Sequence, residues 1–216
     1  MLEEQATRID SEVEVVEVTG KERYERYLYK CLAPLPFRKY RKRREYLERA
    51  IPEGFRKKIL FFRGLAVGQI EYAPAEVSGY PIVGDKVIVM HCIWVLRKAK
   101  GNKFGKLLMD IMMKDRINAR GFATLALEKH RSPWLKKWQM EYLGFKPITS
   151  IQVIHKTKHP EEIFKIFLMW LPNRKGSQPP SWDEKLLLEG VHFCTAHPLY
   201  HPQSLKDKQM LMRVES

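Results

Sequence analysis

The run Ile93-Trp94-Val95-Leu96-Arg97-Lys98-Ala99-Lys100-Gly101-Asn102-Lys103-Phe104-Gly105-Lys106-Leu107-Leu108-Met109 decides how this chain folds. It opens as an apolar strand, breaks into a basic turn that contains glycine, and resumes as a helix. Backbone N–H groups at the start of a helix have no intrahelical acceptor and lie at the positive end of the helix dipole. Such a turn is built to hold an anion, a phosphate above all.

Working upstream, residues 86–95 form a nearly continuous apolar strand, expected to be buried on both faces in the middle of a sheet. Before it, strands at 58–62 and 66–72 are joined by the tight Arg63-Gly64 turn and read as a hairpin. Residues 12–19 alternate valine with glutamate, the pattern of a half-buried strand closed by Gly20. Between these, helices are expected at 21–32, ended by Pro34 and Pro36, and at 38–51, ended near Pro52 and Gly54.

Downstream, the helix that begins at Phe104 is expected to run to about 119 and stop at Arg120-Gly121. A strand at 122–128, a helix at 133–143 opened by Ser132-Pro133 and ended by Gly144, and strands at 148–155 and 163–171 follow. The aromatics Trp134, Trp138, Tyr142 and Phe145 fall at helical spacing beside a sheet, which predicts core positions. Residues 1–171 therefore read as one α/β domain. Residues 172–216 read as a Pro-rich linker and a C-terminal appendage, whose short helix starts at the capping-box pattern Ser181-Trp182-Asp183-Glu184 and stops at Gly190. Trp182 and the leucines after it are expected to dock on the domain, since free they form exposed apolar surface.

The chain has 216 residues, with 39 Lys and Arg against 25 Asp and Glu, a formal net charge of +14. That balance favours polyanions or a phosphorylated small molecule as partners. The run Arg38-Lys39-Tyr40-Arg41-Lys42-Arg43-Arg44 reads as a solvated helix face, with nucleic acid as the alternative contact. Cys31, Cys92 and Cys194 are odd in number and widely spaced, which argues against a disulfide framework and for a reducing, cytoplasmic setting. No apolar run reaches the roughly 18 residues of a membrane span, and the N-terminus lacks a signal-peptide pattern. His192, Cys194, His197 and His201 are potential metal ligands, but a structural zinc site draws on two separated pairs and this cluster is one, so no metal is expected.

The order of elements around the phosphate-type turn resembles the GNAT acetyltransferase superfamily. Its coenzyme loop, Arg/Gln-x-x-Gly-x-Gly/Ala after a Leu-x-Val strand end, aligns with Lys100 to Gly105 after Ile93-Trp94-Val95, with Lys103 standing at the first glycine. A second resemblance is the helix-to-strand signature ending Leu143-Gly144-Phe145. Here Met140 occupies the place of the tyrosine that many members use to protonate the leaving thiolate, and Pro133 that of a common asparagine. The two signatures span roughly residues 12–171. The implied architecture is the GNAT fold, a central mixed twisted sheet flanked by helices, with a C-terminal extension.

What the resemblance implies is acetyl transfer from acetyl-CoA, the cosubstrate, to a primary amine of a small molecule or protein, directly within a ternary complex. In family terms the backbone at Ile93, Trp94 and Val95 pairs with the pantetheine arm. The amides of Lys100, Gly101, Asn102, Lys103, Phe104, Gly105 and Lys106 hold the pyrophosphate. His91 and Glu71 are the candidate bases, both on strands expected near the reacting amine. The alternatives are a packed core histidine and, for Glu71, a surface charge or a substrate-selecting group. Tyr80 is a candidate acid. The alternative function is a catalytically inactive GNAT-like module whose basic surface binds nucleic acid or the ribosome.

Overall fold

The structure is a computed structural model and describes residues 6–10, 12–20, 24–29, 40–156, 158–200 and 209–214. Strands β1 (Ala6–Asp10), β2 (Val13–Glu17), β3 (Arg56–Phe62) and β4 (Leu65–Pro74) pair antiparallel in succession. Helices α1 (Glu25–Leu28) and α2 (Arg41–Ala50) lie between β2 and β3 in the chain. Strand β6 (Val87–Val95) pairs antiparallel with β4, then parallel with β7 (Gly121–Glu128) after α3 (Phe104–Asp115). Helix α4 (Lys137–Tyr142) leads to the antiparallel pair β8 (Lys146–His155) and β9 (Phe164–Pro172). Among the described residues the main sheet runs β1-β2-β3-β4-β6-β7-β9-β8-β11, with β11 at Leu211–Arg213. It is the mixed sheet with flanking helices that the sequence predicts.

Two cores cover the two faces. Helices α3 and α4 bury Leu108, Met109, Met112 and Met140 against Tyr72, Ile88, Met90 and Phe122. On the other face α2 contributes Tyr46, Leu47 and Ala50, packed with Val89, Leu125 and Val153. The C-terminal residues join that second core through Leu187, Val191, Phe193, Leu199, Met210 and Leu211. Strand β11 extends the sheet edge in register with β8, Leu211 opposite His155. Strand β10 (Ser181–Trp182) pairs with the short β5 (Ile82–Val83), and α5 (Glu184–Glu189) follows.

Several element ends differ from the sequence reading. Helix α3 stops at Asp115, because Arg116 leaves helical geometry after its N–H bonds Met112 O. The cap of α5 is Asp183, whose carboxylate accepts the N–H groups of Lys185 and Leu186, while Ser181 is taken up by β10. Only 25–28 is helical in the described part of 21–32, and residues 38–39 lie outside the described residues. Residues 133–136 do not form the first turn of α4. Leu135 has a left-handed φ of 51° and its carbonyl accepts the N–H of Leu127 at 2.6 Å, so the segment lies against the end of β7 instead. No helix among the described residues is long and apolar enough to cross a membrane.

Candidate active site

Strands β6 and β7 pair over three positions, Val87, Ile88 and Val89 against Gly121, Phe122 and Ala123. Thr124 then donates its hydroxyl to Met90 O at 2.8 Å, and beyond it the strands part. Strand β7 stays paired with β9 as far as Glu128, and β6 stays paired with β4 as far as Val95. The β7-facing edge of β6 beyond Met90 therefore has no strand partner among the described residues. Trp94 meets Trp134 across this opening, ring centroids 5.1 Å apart, and both indole N–H groups are buried without an acceptor.

The parting coincides with a bulge. Glu71 lies opposite Cys92 but Tyr72 opposite Met90, so His91 is the extra residue on β6. Strict alternation puts His91 on one face with Val89, Ile93 and Val95. The bulge breaks that parity: Val89 belongs to the α2 face, whereas Ile93 and Val95 pack with Ile88 and Met90 on the α3 face. It also turns His91 and Cys92 both into the cavity behind the strand.

The turn before α3 has the geometry an anion needs. Gly101 has φ 90° and Lys103 φ 56°, so Lys103 adopts the left-handed conformation that a glycine supplies without strain. The N–H groups of residues 101–106 have no acceptor among the described residues, and Leu107 is the first to bond back, to Lys103 O. The side chain of Asn102 is committed to Ala99 O at 3.1 Å, and that of Phe104 is buried against Phe62, so both offer only backbone. Lys100 and Lys103 are exposed, Lys106 rests over the Tyr142 ring at 4.7 Å, and Gly105 packs beside Leu143.

Behind β6 lies a cavity of about 40 Å³. Its wall includes Glu71, which is fully buried and shares one carboxylate oxygen with Arg43 and Lys57, each at 2.8 Å. Burial alone raises the carboxyl pKa, but Arg43 and Lys57 together outweigh it and hold it at about 2. Glu71 is thus neither a surface charge nor a ready base. His91 is also fully buried, stacked on Phe55 at 5.7 Å, and neither ring nitrogen makes a hydrogen bond of normal geometry. Burial lowers it to about 4, Glu71 and the Ser78 backbone opposing the fall and Arg43 adding to it, so the ring is neutral at physiological pH.

The far wall comes from the C-terminal segment: Phe193, Cys194, Thr195, His197 and Pro198. Leu199 N–H donates to His197 Nδ1 at 3.1 Å, which assigns the ring proton to Nε2, 2.6 Å from the Tyr80 hydroxyl. Tyr80 in turn donates to His91 O at 3.1 Å, so its proton is committed and burial holds it in place. Both nitrogens of His197 are engaged, and no three metal-binding side chains gather among the described residues; His201 lies outside them.

Met140 is buried in the α3 face at 2% exposure, together with Phe145. Trp138 and Tyr142 are not core: they are 66% and 61% exposed, because residues four apart share one face of α4 and Met140, two away from each, takes the opposite face toward the sheet. The basic run also needs correction. Arg41, Lys42 and Arg44 are exposed, but Arg43 is only 5% exposed. The spacing of Arg43 with Tyr46, Leu47 and Ala50 carries that signal, a stripe at helical period in which the arginine is the inward member. Lys57 had no such marker.

No protein-family model matches the chain, and no curated protein sequence does. Its likeness is to solved structures. A protein assigned as a GNAT-family acetyltransferase from Desulfovibrio desulfuricans superposes with a TM-score of 0.54 at 11% identity, covering 75% of this chain and 99% of its own. The ribosomal L7/L12 alpha-N-protein acetyltransferase RimL does so at 0.51 and 9% identity, covering 78% of this chain and 98% of its own. At such identities the likeness is one of architecture: the chain has the fold of the GNAT acetyltransferases.

Proposed function

We propose that this protein is an N-acetyltransferase, moving an acetyl group from acetyl-CoA to a primary amine by direct transfer in a ternary complex. One observation carries the reading: the cavity behind His91, the unpaired β6 edge and the acceptor-less amides of 101–106 follow one another along a single strand-turn-helix stretch of chain. Amides at a helix start, with Lys100, Lys103 and Lys106 around them, suit a pyrophosphate. The edge at Ile93, Trp94 and Val95 offers main-chain groups to the amides of a pantetheine arm as a strand does. That seating brings the thioester to the bulge at His91.

There the neutral amine attacks the thioester carbonyl, a C–N bond forms and the C–S bond breaks, and the nitrogen loses one proton. His91, neutral and lining the cavity, accepts it from the acceptor side of the strand. Glu71 is a fixed charge rather than a base, since Arg43 and Lys57 already hold its carboxylate. The departing thiolate draws its proton from solvent, because Met140 has none to give and that of Tyr80 is bound to His91 O. The three widely spaced cysteines fit a reducing cytoplasm.

Met140 favours a second reading, a binding module on the same scaffold that transfers nothing. Thiol release from acetyl-CoA across small amines, peptides and RNA separates the two. Acceptor-dependent release is expected; its absence together with salt-sensitive RNA binding establishes the module instead.

A further inference from the structure

Glu71 is the acidic side chain in the described cavity wall, and two cations already share it. Arg43 and Lys57 both hold the same Glu71 oxygen. The histidines there are neutral at physiological pH. A polycationic amine therefore meets no unpaired carboxylate on this wall.

Arg43 is the unbalanced member. Its Nη2 donates to Glu71 at 2.8 Å and to Leu28 O at 3.3 Å. Its Nη1 is buried without an acceptor, although the side chain is only 6% exposed and lines the cavity. A buried guanidinium N–H left unpaired is costly, and the planar fork of arginine matches a carboxylate. The rings of Tyr29, Tyr40 and Phe193 supply apolar surface around it.

Resting on the transferase reading, we infer that the acceptor is a small amine bearing its own carboxylate, of which an α-amino acid is the simplest case, with the carboxylate bound by Arg43 and the amine directed to His91. The product is the N-acetylated acid and the free thiol: the amine nitrogen gains the acetyl carbon, sulfur loses it, and one proton passes from nitrogen to thiolate by way of His91 and solvent.

The test is thiol release with the unaltered protein over the common α-amino acids and, beside each, its amide. The best acids are expected to exceed their amides at least tenfold in kcat/KM. Arg43→Gln, and Arg43→Lys, which keeps a cation beside Glu71 and so guards the fold, are expected to bring that ratio close to one. Amides that match or outdo the acids, or a ratio unchanged in the folded variants, overturn the inference. Silence from every acid in a protein whose melting temperature rises with acetyl-CoA overturns it too, while the coenzyme reading stands. Failure to bind acetyl-CoA overturns both.

Discussion

His197 Nε2 lies 2.6 Å from the hydroxyl of Tyr80, a residue 117 positions earlier, and through it the C-terminal segment braces the bulge at His91. The chain of donors runs from His197 to Tyr80 to His91 O, all of it buried. His197→Phe keeps the ring and removes the first link. A loss of about 1–3 kcal/mol of stability is expected in denaturant unfolding, the range for a buried polar group left short of a partner. If acetyl transfer is present, kcat should fall more than coenzyme affinity, because the bulge lies beside the cavity and away from the turn at 101–106.

Acid should loosen the fold in two windows. Burial lowers His91 and His130 to about 4 and His197 to about 3, against an ordinary value of 6.5. The unfolded chain therefore binds more protons between pH 4 and 6.5, and stability rises with pH across that interval. Thermal unfolding midpoints are expected to fall steadily from pH 7 to pH 5. His91→Phe, which retains an aromatic ring on Phe55, should flatten that dependence by removing one titrating group.

Glu71 acts lower. Its carboxyl lies at about 2 rather than 4.5, so its contribution is complete above pH 4.5 and is lost as pH falls toward 2. Glu71→Gln leaves Arg43 and Lys57 buried without their shared anion. Destabilisation of about 3–5 kcal/mol is expected, the usual cost of breaking a buried ion pair by removing one partner. Urea unfolding at pH 7 measures it, and an effect below 1 kcal/mol would mean that the two cations find other partners.

Lys103 combines a strained backbone with a useful charge. Lys103→Gly relieves a left-handed φ of 56° and is expected to raise stability by about 1 kcal/mol or less, offset in part by the greater chain entropy of glycine. The same change removes a cation from the start of α3. Acetyl-CoA affinity should drop roughly twofold to fivefold, the scale of a charge beside a helix terminus. Calorimetric titration of both proteins checks the two effects separately.

Much of this was legible in the residues. The strand-turn-helix at 93–109 and the Leu143-Gly144-Phe145 signature predict the sheet, and the turn has the left-handed position where Lys103 replaces glycine. Alternation grouped Ile93 and Val95 with His91 on the wrong face, since a bulge adds one residue to one strand only and leaves no compositional mark. The first turn of α4 failed because the carbonyl of Leu135 bonds Leu127 across the sheet, a tertiary contact that local propensity does not contain. The basic run concealed Arg43 among exposed neighbours of the same charge. The C-terminal wall of the cavity was hidden because it is made by contacts remote in the chain: Phe193 meets Tyr80 and His91, and His197 meets Tyr80 across 117 positions.

The most direct measurement is the unfolding temperature of the purified chain with and without acetyl-CoA, alongside the Lys103→Glu variant, whose carboxylate opposes a phosphate at the same turn. At a hundred times its dissociation constant the ligand adds about 2.7 kcal/mol of stability. A clear upward shift in the native chain that shrinks in Lys103→Glu is the expected result. No shift at millimolar acetyl-CoA, or one indifferent to Lys103→Glu, contradicts the placing of the coenzyme at residues 101–106.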